Sequence, residues 1–168
     1  MGTGDFTHCL AYNLDVANEQ RCPECGARLM DGESCQDAFY QMLYWETEDP
    51  AKSAVHHLTV LCFHLQHPSL YSPKGLKYAI HLLDDFVVRG RTPQEVRKTS
   101  RDYVNSRTRD FKIGGAAGSQ GAYAHPVAWS MTDADVVAAG EAKYCESVRV
   151  WAASILETLK YTENYVPR

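Results

Sequence analysis

The sequence predicts an all-α fold of about five helices in one bundle-like domain, preceded by a short irregular segment. Apolar residues recur every three to four positions from Cys35 onwards, which is typical of helices with one buried face. Three expected helix starts pair a capping side chain with a proline, at Asp49-Pro50, Ser72-Pro73 and Thr92-Pro93. No stretch alternates convincingly between apolar and polar residues, as a half-buried strand would.

Each helix is bounded by local signals. We expect helices over residues 36–47, 50–66, 73–90, 93–107 and 133–160, the last one capped by Thr132-Asp133. The middle of the second helix is almost wholly apolar, so that helix is expected to be central. Residues 113–131 hold four glycines and predict a loop. All 168 residues are assigned to one domain, with 1–34 as the irregular segment and 35–168 as the helical body. Within 1–34 we expect one short helix or strand between Cys9 and Val16.

The composition and charge pattern argue against two classes of partner and indicate a cellular compartment. The formal net charge is -4 and there is no lysine or arginine run, so nothing supports nucleic acid or an anionic membrane as a partner. The longest uncharged stretch, 53–73, contains four histidines, and the N-terminus lacks an apolar leader. We therefore predict a cytoplasmic protein. In a reducing compartment, its six cysteines indicate metal or redox chemistry more than disulfides.

A cysteine motif near the N-terminus predicts a metal site. Cys22-Pro-Glu-Cys25-Gly is the tight turn with which zinc proteins present two thiolates to one ion. Structural zinc takes four ligands, and Cys35 is the nearest third thiol. If the first two helices form an antiparallel hairpin, the end of the second returns to Cys35 and brings His67 there, with His64 as the substitute. The predicted site is therefore Cys22, Cys25, Cys35 and His67. Residues 1–34 are accordingly predicted to form a zinc-knuckle segment.

Other interpretations of these residues remain open. Cys22 and Cys25 could form a redox pair, although no strand–helix alternation surrounds them, or could be free thiols. Cys35 or His67 could serve only as helix caps, and His8-Cys9 could supply a missing ligand if Cys35 does not. A site closed by four protein ligands is structural, because it leaves no position for an activated water.

A second cluster of interest lies around His56. A metal or acid–base site there would use Glu46 or Glu48 from the end of the preceding helix. The preferred interpretation is a core histidine that bonds a buried backbone or tyrosine group.

Several motifs together resemble an uncharacterised bacterial family of unknown function. They are the Cys-Pro-x-Cys-Gly-Ala turn, Cys35, the Val-His-x-Leu-Thr-Val run at 55–60, the Gln-His-Pro triplet at 66–68 and Val-Arg-x-Trp-Ala at 148–152. The resemblance covers roughly Cys22 to Leu159 and implies shared use of the cysteines, His56 and His67. Members often carry a histidine early in the final helix, where this chain has Tyr144 or Cys145. No activity follows from the resemblance.

Three functional hypotheses follow. The first is a zinc-stabilised helical binding or regulatory module whose unknown ligand or protein partner uses a cleft beside the central helix; a homodimer is possible. The second is a metal-dependent helical-bundle enzyme, a DinB-like hydrolase or thiol transferase, using His56 and its neighbours. It is weakened because no histidine follows His125. The third is a thiol redox protein using Cys22 and Cys25.

Overall fold

The computed structural model describes residues 20–30, 32–105, 112–165 and 167. Helices dominate this part of the chain and pack against one another, which confirms the mostly-α fold class. It contains a two-stranded antiparallel sheet and six α-helices: β1 Gln20–Arg21, β2 Arg28–Leu29, α1 Cys35–Glu48, α2 His56–Gln66, α3 Pro73–Val87, α4 Pro93–Asn105, α5 Asp133–Ala138 and α6 Tyr144–Tyr161. None of the described helices is both long enough and apolar enough to cross a membrane.

The helix starts follow from local capping. Asp49, Ser72 and Thr132 occupy the N-cap positions predicted for them, and the Thr92 hydroxyl accepts a hydrogen bond from the amide of Glu95 at 3.3 Å. Each cap satisfies backbone amides that have no partner within the helix. These short-range bonds explain why the starts were predictable from sequence.

The predicted single final helix over 133–160 is wrong. The chain breaks at Gly140, whose φ of 84° lies in the left-handed region that glycine adopts without steric cost. A short 3-10 turn, Glu141–Lys143, then leads into α6. The break lets α5 pack against α1 while α6 packs against α2 and α3.

Two further differences concern the first third of the described chain. The expected second helix is divided, since Pro50–Val55 forms a 3-10 turn and only His56–Gln66 is α-helical. The segment expected to be irregular contains β1 and β2, each of two residues, which pair Gln20 with Leu29 and Arg21 with Arg28. Strands this short carry no readable alternation. The element expected around Cys9 to Val16, His8-Cys9 and the fourth helix's end at Arg107 lie outside the described residues.

The core lies where α2 and α6 meet. Its largest fully buried side chains are Trp151, Tyr144, Met42, Leu65, Leu83, Ile155 and Leu159. A buried amide, Gln66, crosses this interface: its Oε1 accepts from Trp151 Nε1 at 3.1 Å and its Nε2 donates to the carbonyl oxygen of Met131 at 2.7 Å. Since both ends of the amide are satisfied, its burial fixes α2 against α6 and the 113–131 loop.

The backbone of the glycine-containing loop 113–131 packs against the chain around the short 3-10 turn Pro68–Leu70. The amide of Gly115 donates to the carbonyl of Leu70 at 3.0 Å. A Cβ on Gly115 would lie 2.6 Å from the Tyr71 carbonyl oxygen, so the two backbones can approach this closely only because that residue has no side chain. The loop therefore covers the chain that leaves α2.

Candidate metal centre

The cysteine turn is built by its own backbone. β1 and β2 pair on either side of it, the amide of Cys22 donates to the Ala27 carbonyl at 3.0 Å, and the amide of Gly26 donates to the Cys22 carbonyl at 2.9 Å. Gly26 has a φ of 73°, which permits the reversal. The amide of Ala27 also points at Cys25 Sγ, 3.4 Å away, and such an amide stabilises a thiolate.

The other two candidate ligands come from the helical hairpin. Cys35 is the first residue of α1, and His67 is the C-cap of α2, directly before Pro68. The two helices pack against each other, so the end of α2 lies beside the start of α1, as the sequence predicted.

The structure brings all four predicted ligands together. The ligand atoms of Cys22, Cys25, Cys35 and His67 lie within 4.8 Å of one another, and this cluster could hold a metal ion. Cys25 Sγ is 3.3 Å from Cys35 Sγ, and Cys22 Sγ is 3.6 Å from His67 Nε2. A tetrahedral ion with metal–sulfur bonds of about 2.3 Å needs ligand separations of roughly 3.8 Å. The cluster is therefore close to the size that such an ion requires.

The His67 ring is held with the correct nitrogen facing the thiols. Its Nδ1 lies 2.7 Å from the carbonyl oxygen of Phe63. A carbonyl can only accept, so Nδ1 carries a proton in either charge state of the ring, and Nε2 faces the cluster and offers its lone pair once it loses its own proton. Metal-bound histidines commonly have an acceptor of this kind on the second ring nitrogen, where it fixes the tautomer and the ring orientation.

Electrostatics place negative charge in the cluster. A hydrogen bond from Cys35 lowers the pKa of Cys25 to about 4, and the same bond raises the pKa of Cys35. Burial works against protonation of His67, but hydrogen bonds to Cys25 and Phe63 raise its pKa to about 9. Without a metal, the cluster therefore pairs the Cys25 thiolate with a His67 imidazolium, and an ion would replace the protons.

The site is enclosed and has a second attachment. Cys25, Cys35 and His67 are buried, whereas Cys22 is half-buried. Next to the cluster, the Glu24 carboxylate accepts hydrogen bonds from the amide and hydroxyl of Ser69, at 3.1 and 2.9 Å. The cysteine turn is thus joined to the chain after α2 by protein groups as well as by the cluster.

Sequence reasoning missed Asp133, which adjoins the cluster. It is the first residue of α5 and is fully buried. Burial raises its pKa to about 6, the negative charge of Cys25 adds to that effect, and the charge of Asp133 in turn raises the pKa of Cys35. No local motif marks it, because α5 reaches the cluster through its packing on other helices, α1 and α6.

The substitute ligand and the remaining described thiols lie elsewhere. His64 is half-buried, with its ring centre 5.6 Å from that of Tyr71, and burial lowers its pKa. Cys62 is fully buried in α2, and burial raises its pKa. Cys145 Sγ lies 4.0 Å from the Lys52 carbonyl oxygen. Within the part of the chain that the structure describes, no other group of three or more potential ligands converges.

The environment of His56 differs from that of the core histidine that was predicted there. Its side chain is 55% exposed, and its Nδ1 bonds the buried carboxylate of Glu46 at 2.5 Å instead of a backbone or tyrosine group. The interpretation as a core histidine is therefore wrong. Glu46, and not Glu48, is the partner, because α1 turns the former toward α2 and leaves the latter exposed.

Fold and cluster together define a class: a mostly helical protein whose N-terminal cysteine turn meets the end of a buried helix in a Cys3His cluster. Residues 20–160 match the model of a family of unknown function, DUF5946, and the chain belongs to that family. This confirms the resemblance to a family without an established activity. No curated protein and no solved structure matches the chain.

Proposed function

We propose that this protein is a zinc-stabilised helical binding module. A structural zinc ion bound by Cys22, Cys25, Cys35 and His67 holds the cysteine turn on the helical body, and the ligand enters a cleft beside α2. The observation that carries the proposal is the convergence of four protein ligand atoms within 4.8 Å, drawn from two segments far apart in sequence.

The donor set favours zinc. Thiolates are soft ligands that suit zinc, and three cysteines with one histidine form a common tetrahedral structural site. Hard cations such as calcium and magnesium prefer oxygen ligands, which the four residues do not offer.

A structural role fits better than catalysis or redox exchange at this place. Four protein ligands complete a tetrahedral shell, so an ion bound by all of them has no position for an activated water. The redox hypothesis invoked Cys22 and Cys25, but Cys25 Sγ has the thiol of Cys35 as its neighbour at 3.3 Å. The His67 imidazole beside Cys22 has a clear use as a ligand and none in a simple dithiol.

Metal analysis with thiol titration tests this proposal. Protein purified without added metal should contain about one zinc per chain, with the cluster thiols unreactive until a chelator is added. Cys35→Ser should lose the zinc, whereas Cys145→Ser should keep it. A metal-free protein with a reversible Cys22–Cys25 disulfide would overturn the proposal in favour of the redox hypothesis.

The proposal also covers the cellular location and the partners of the protein. Reduced, metal-bound cysteines fit a cytoplasmic location. The ligand or protein partner is unidentified, and a homodimer remains a prediction that sedimentation analysis of the zinc-loaded protein would check.

A further inference from the structure

A second polar cluster lies at the opposite end of α2 from the cysteines. Tyr144 donates a hydrogen bond to Glu46 Oε1 at 2.5 Å, and the hydroxyls of Thr59 and Tyr144 are 2.6 Å apart. The other oxygen of Glu46 accepts from His56 Nδ1 at 2.5 Å. Helices α1, α2 and α6 thus all contribute to one hydrogen-bonded chain that ends in an imidazole.

In this hydrogen-bonded chain, Nε2 of His56 has no partner among the described residues. Since the carboxylate accepts from Nδ1, the neutral ring carries its proton there and has its lone pair on Nε2, on the far side of the ring. His56 lines a cavity of about 980 Å³ that also involves Leu43, Phe86 and the first turn of α4. A carboxylate that fixes the tautomer and stabilises the imidazolium is the arrangement by which proteins prepare a histidine as a general base.

The hydroxyls of Tyr144 and Thr59 bond Glu46 Oε1 and hold the buried carboxylate in the fold, so its contact with His56 adds little to stability. The Glu46 side chain is 6% exposed, and burying a carboxylate costs several kcal/mol before its partners offset it. An ion pair to an imidazole that is 55% exposed contributes about 1 kcal/mol at most. Among the described residues, His56 is the basic side chain that lies against this carboxylate.

The cavity also offers a cation for an anionic ligand. Arg97 of α4 lines it and is exposed; its Nε donates to the Pro93 carbonyl at 3.3 Å, and no carboxylate of the described residues pairs with it. The pKa of His57, on the same wall, is lowered by burial and further by the positive charges of His56, Arg97 and Arg149. The apolar side chains Leu43, Phe86 and Val96 provide contacts for an apolar body.

We propose that this cleft is a catalytic site that hydrolyses small anionic carboxylic esters, with His56 as general base. His56 Nε2 takes a proton from water as the water oxygen bonds to the ester carbonyl carbon. The carbon–oxygen bond to the alcohol then breaks, and the imidazolium returns the proton to the departing oxygen, which yields a carboxylic acid and an alcohol. Arg97 binds the substrate's anionic group, and Glu46 is a positioning residue that acts through His56.

This inference makes the ligand of the proposed binding module a substrate, but it requires no particular metal at the cysteine cluster. Metal content and ester hydrolysis are measured separately, so either proposal can fail without the other. The probe is a succinate half-ester of 4-nitrophenol, compared with neutral 4-nitrophenyl acetate, and both are assayed with the purified full chain.

The expected result is saturable hydrolysis of the anionic ester above the buffer rate. His56→Gln should lower kcat by about 100-fold or more, the usual contribution of a general base. Glu46→Gln should lower kcat by at least about tenfold with little change in KM, and Glu46→Asp should restore part of it. Arg97→Gln should raise KM for the anionic ester but not for the neutral one.

Matched variants keep these outcomes interpretable. Glu48→Gln on α1 and Lys98→Gln on α4 are exposed neighbours outside the cavity wall and should behave as the wild type. Circular dichroism and metal content identify any variant that fails to fold. Hydrolysis at the buffer rate, or His56→Gln protein as active as the wild type, would overturn the proposal.

Discussion

The two ends of α2 present a histidine in the same way but in opposite surroundings. At both ends Nδ1 bonds an acceptor, the Phe63 carbonyl for His67 and the Glu46 carboxylate for His56. Nε2 of His67 lies 3.6 Å from Cys22 Sγ, whereas Nε2 of His56 has no hydrogen-bond partner among the described residues. His67 is buried and faces three thiols, whereas His56 is half-exposed and faces an open cavity. The comparison shows that the hydrogen bond on one nitrogen orients the ring, while the groups around the other nitrogen decide its chemistry.

The largest expected effect comes from breaking the buried end. Cys25→Ser removes a thiolate from the cluster, so zinc content should fall to less than about a tenth of the wild type, since closed sites need all four ligands. Zinc sites of this class contribute up to about 10–16 kcal/mol of binding free energy, so the cysteine turn should become protease-sensitive. Limited proteolysis and metal analysis measure this, with Cys145→Ser as the control. Full zinc content in Cys25→Ser would show that the four residues are not the ligands.

Acidification should weaken the same end next. The pKa of His67 is raised to about 9 by its hydrogen bonds despite burial, and that of Cys35 is raised by its bond to Cys25. Below pH 9 both groups hold protons that zinc must displace, so zinc affinity falls as pH falls. The protons displaced from these two groups alone give about a hundredfold change per pH unit. Chelator competition at pH 8, 7 and 6 measures it, and an affinity independent of pH would contradict the described charge state.

At the His56 end of α2, loss of the buried Glu46 carboxylate should lower the free energy of unfolding more than loss of the exposed Glu48 carboxylate. Glu46→Ala leaves the Tyr144 hydroxyl without its acceptor, which should lower the free energy of unfolding by about 1–3 kcal/mol. The matched Glu48→Ala should change it by less than about 0.5 kcal/mol. Urea unfolding of zinc-loaded protein compares the two. Equal stability of the two variants would mean that the network contributes nothing to the fold, and both should keep their zinc.

The smallest effect is expected where one ligand type replaces another. His67→Cys would convert the cluster to four thiols, a set that structural zinc sites also use, so zinc should be retained with an affinity change of less than about tenfold. His67→Ala should lose it. His64→Gln, one turn away on α2, serves as the control because its ring lies outside the cluster. If His64→Gln lost zinc instead, the ligand would be the substitute that the sequence also allowed.

Local signals made much of the fold predictable. Caps at Asp49, Ser72 and Thr132 work through bonds within a few residues, so their sequence patterns are direct evidence of structure. The break at Gly140 coincides with a local signal, a glycine within the predicted helix, although the apolar pattern continues on both sides of it. β1 and β2 were too short for any pattern to show.

The sequence predicts the cysteine–histidine cluster better than the cluster around His56. The metal cluster was predictable because a helical hairpin brings its ends together whatever the details of packing, and His67 lies at the end of the second helix. Glu46 and Tyr144 bond across 98 residues, and Asp133 reaches the cluster only through α5. Such contacts depend on how helices rotate and pack, which periodicity does not specify.

The Glu24 carboxylate, bonded to the amide and hydroxyl of Ser69, has a consequence for metal exchange. It tethers the turn bearing Cys22 and Cys25 to the chain after His67 even when no ion is bound, so both halves of the cluster stay at a high effective concentration. Metal rebinding then takes place at a site whose ligands are already close together, so the cysteine turn does not have to fold around the ion. The protein should therefore recover its metal quickly after transient depletion, and Glu24→Gln should slow that recovery more than it weakens the final affinity.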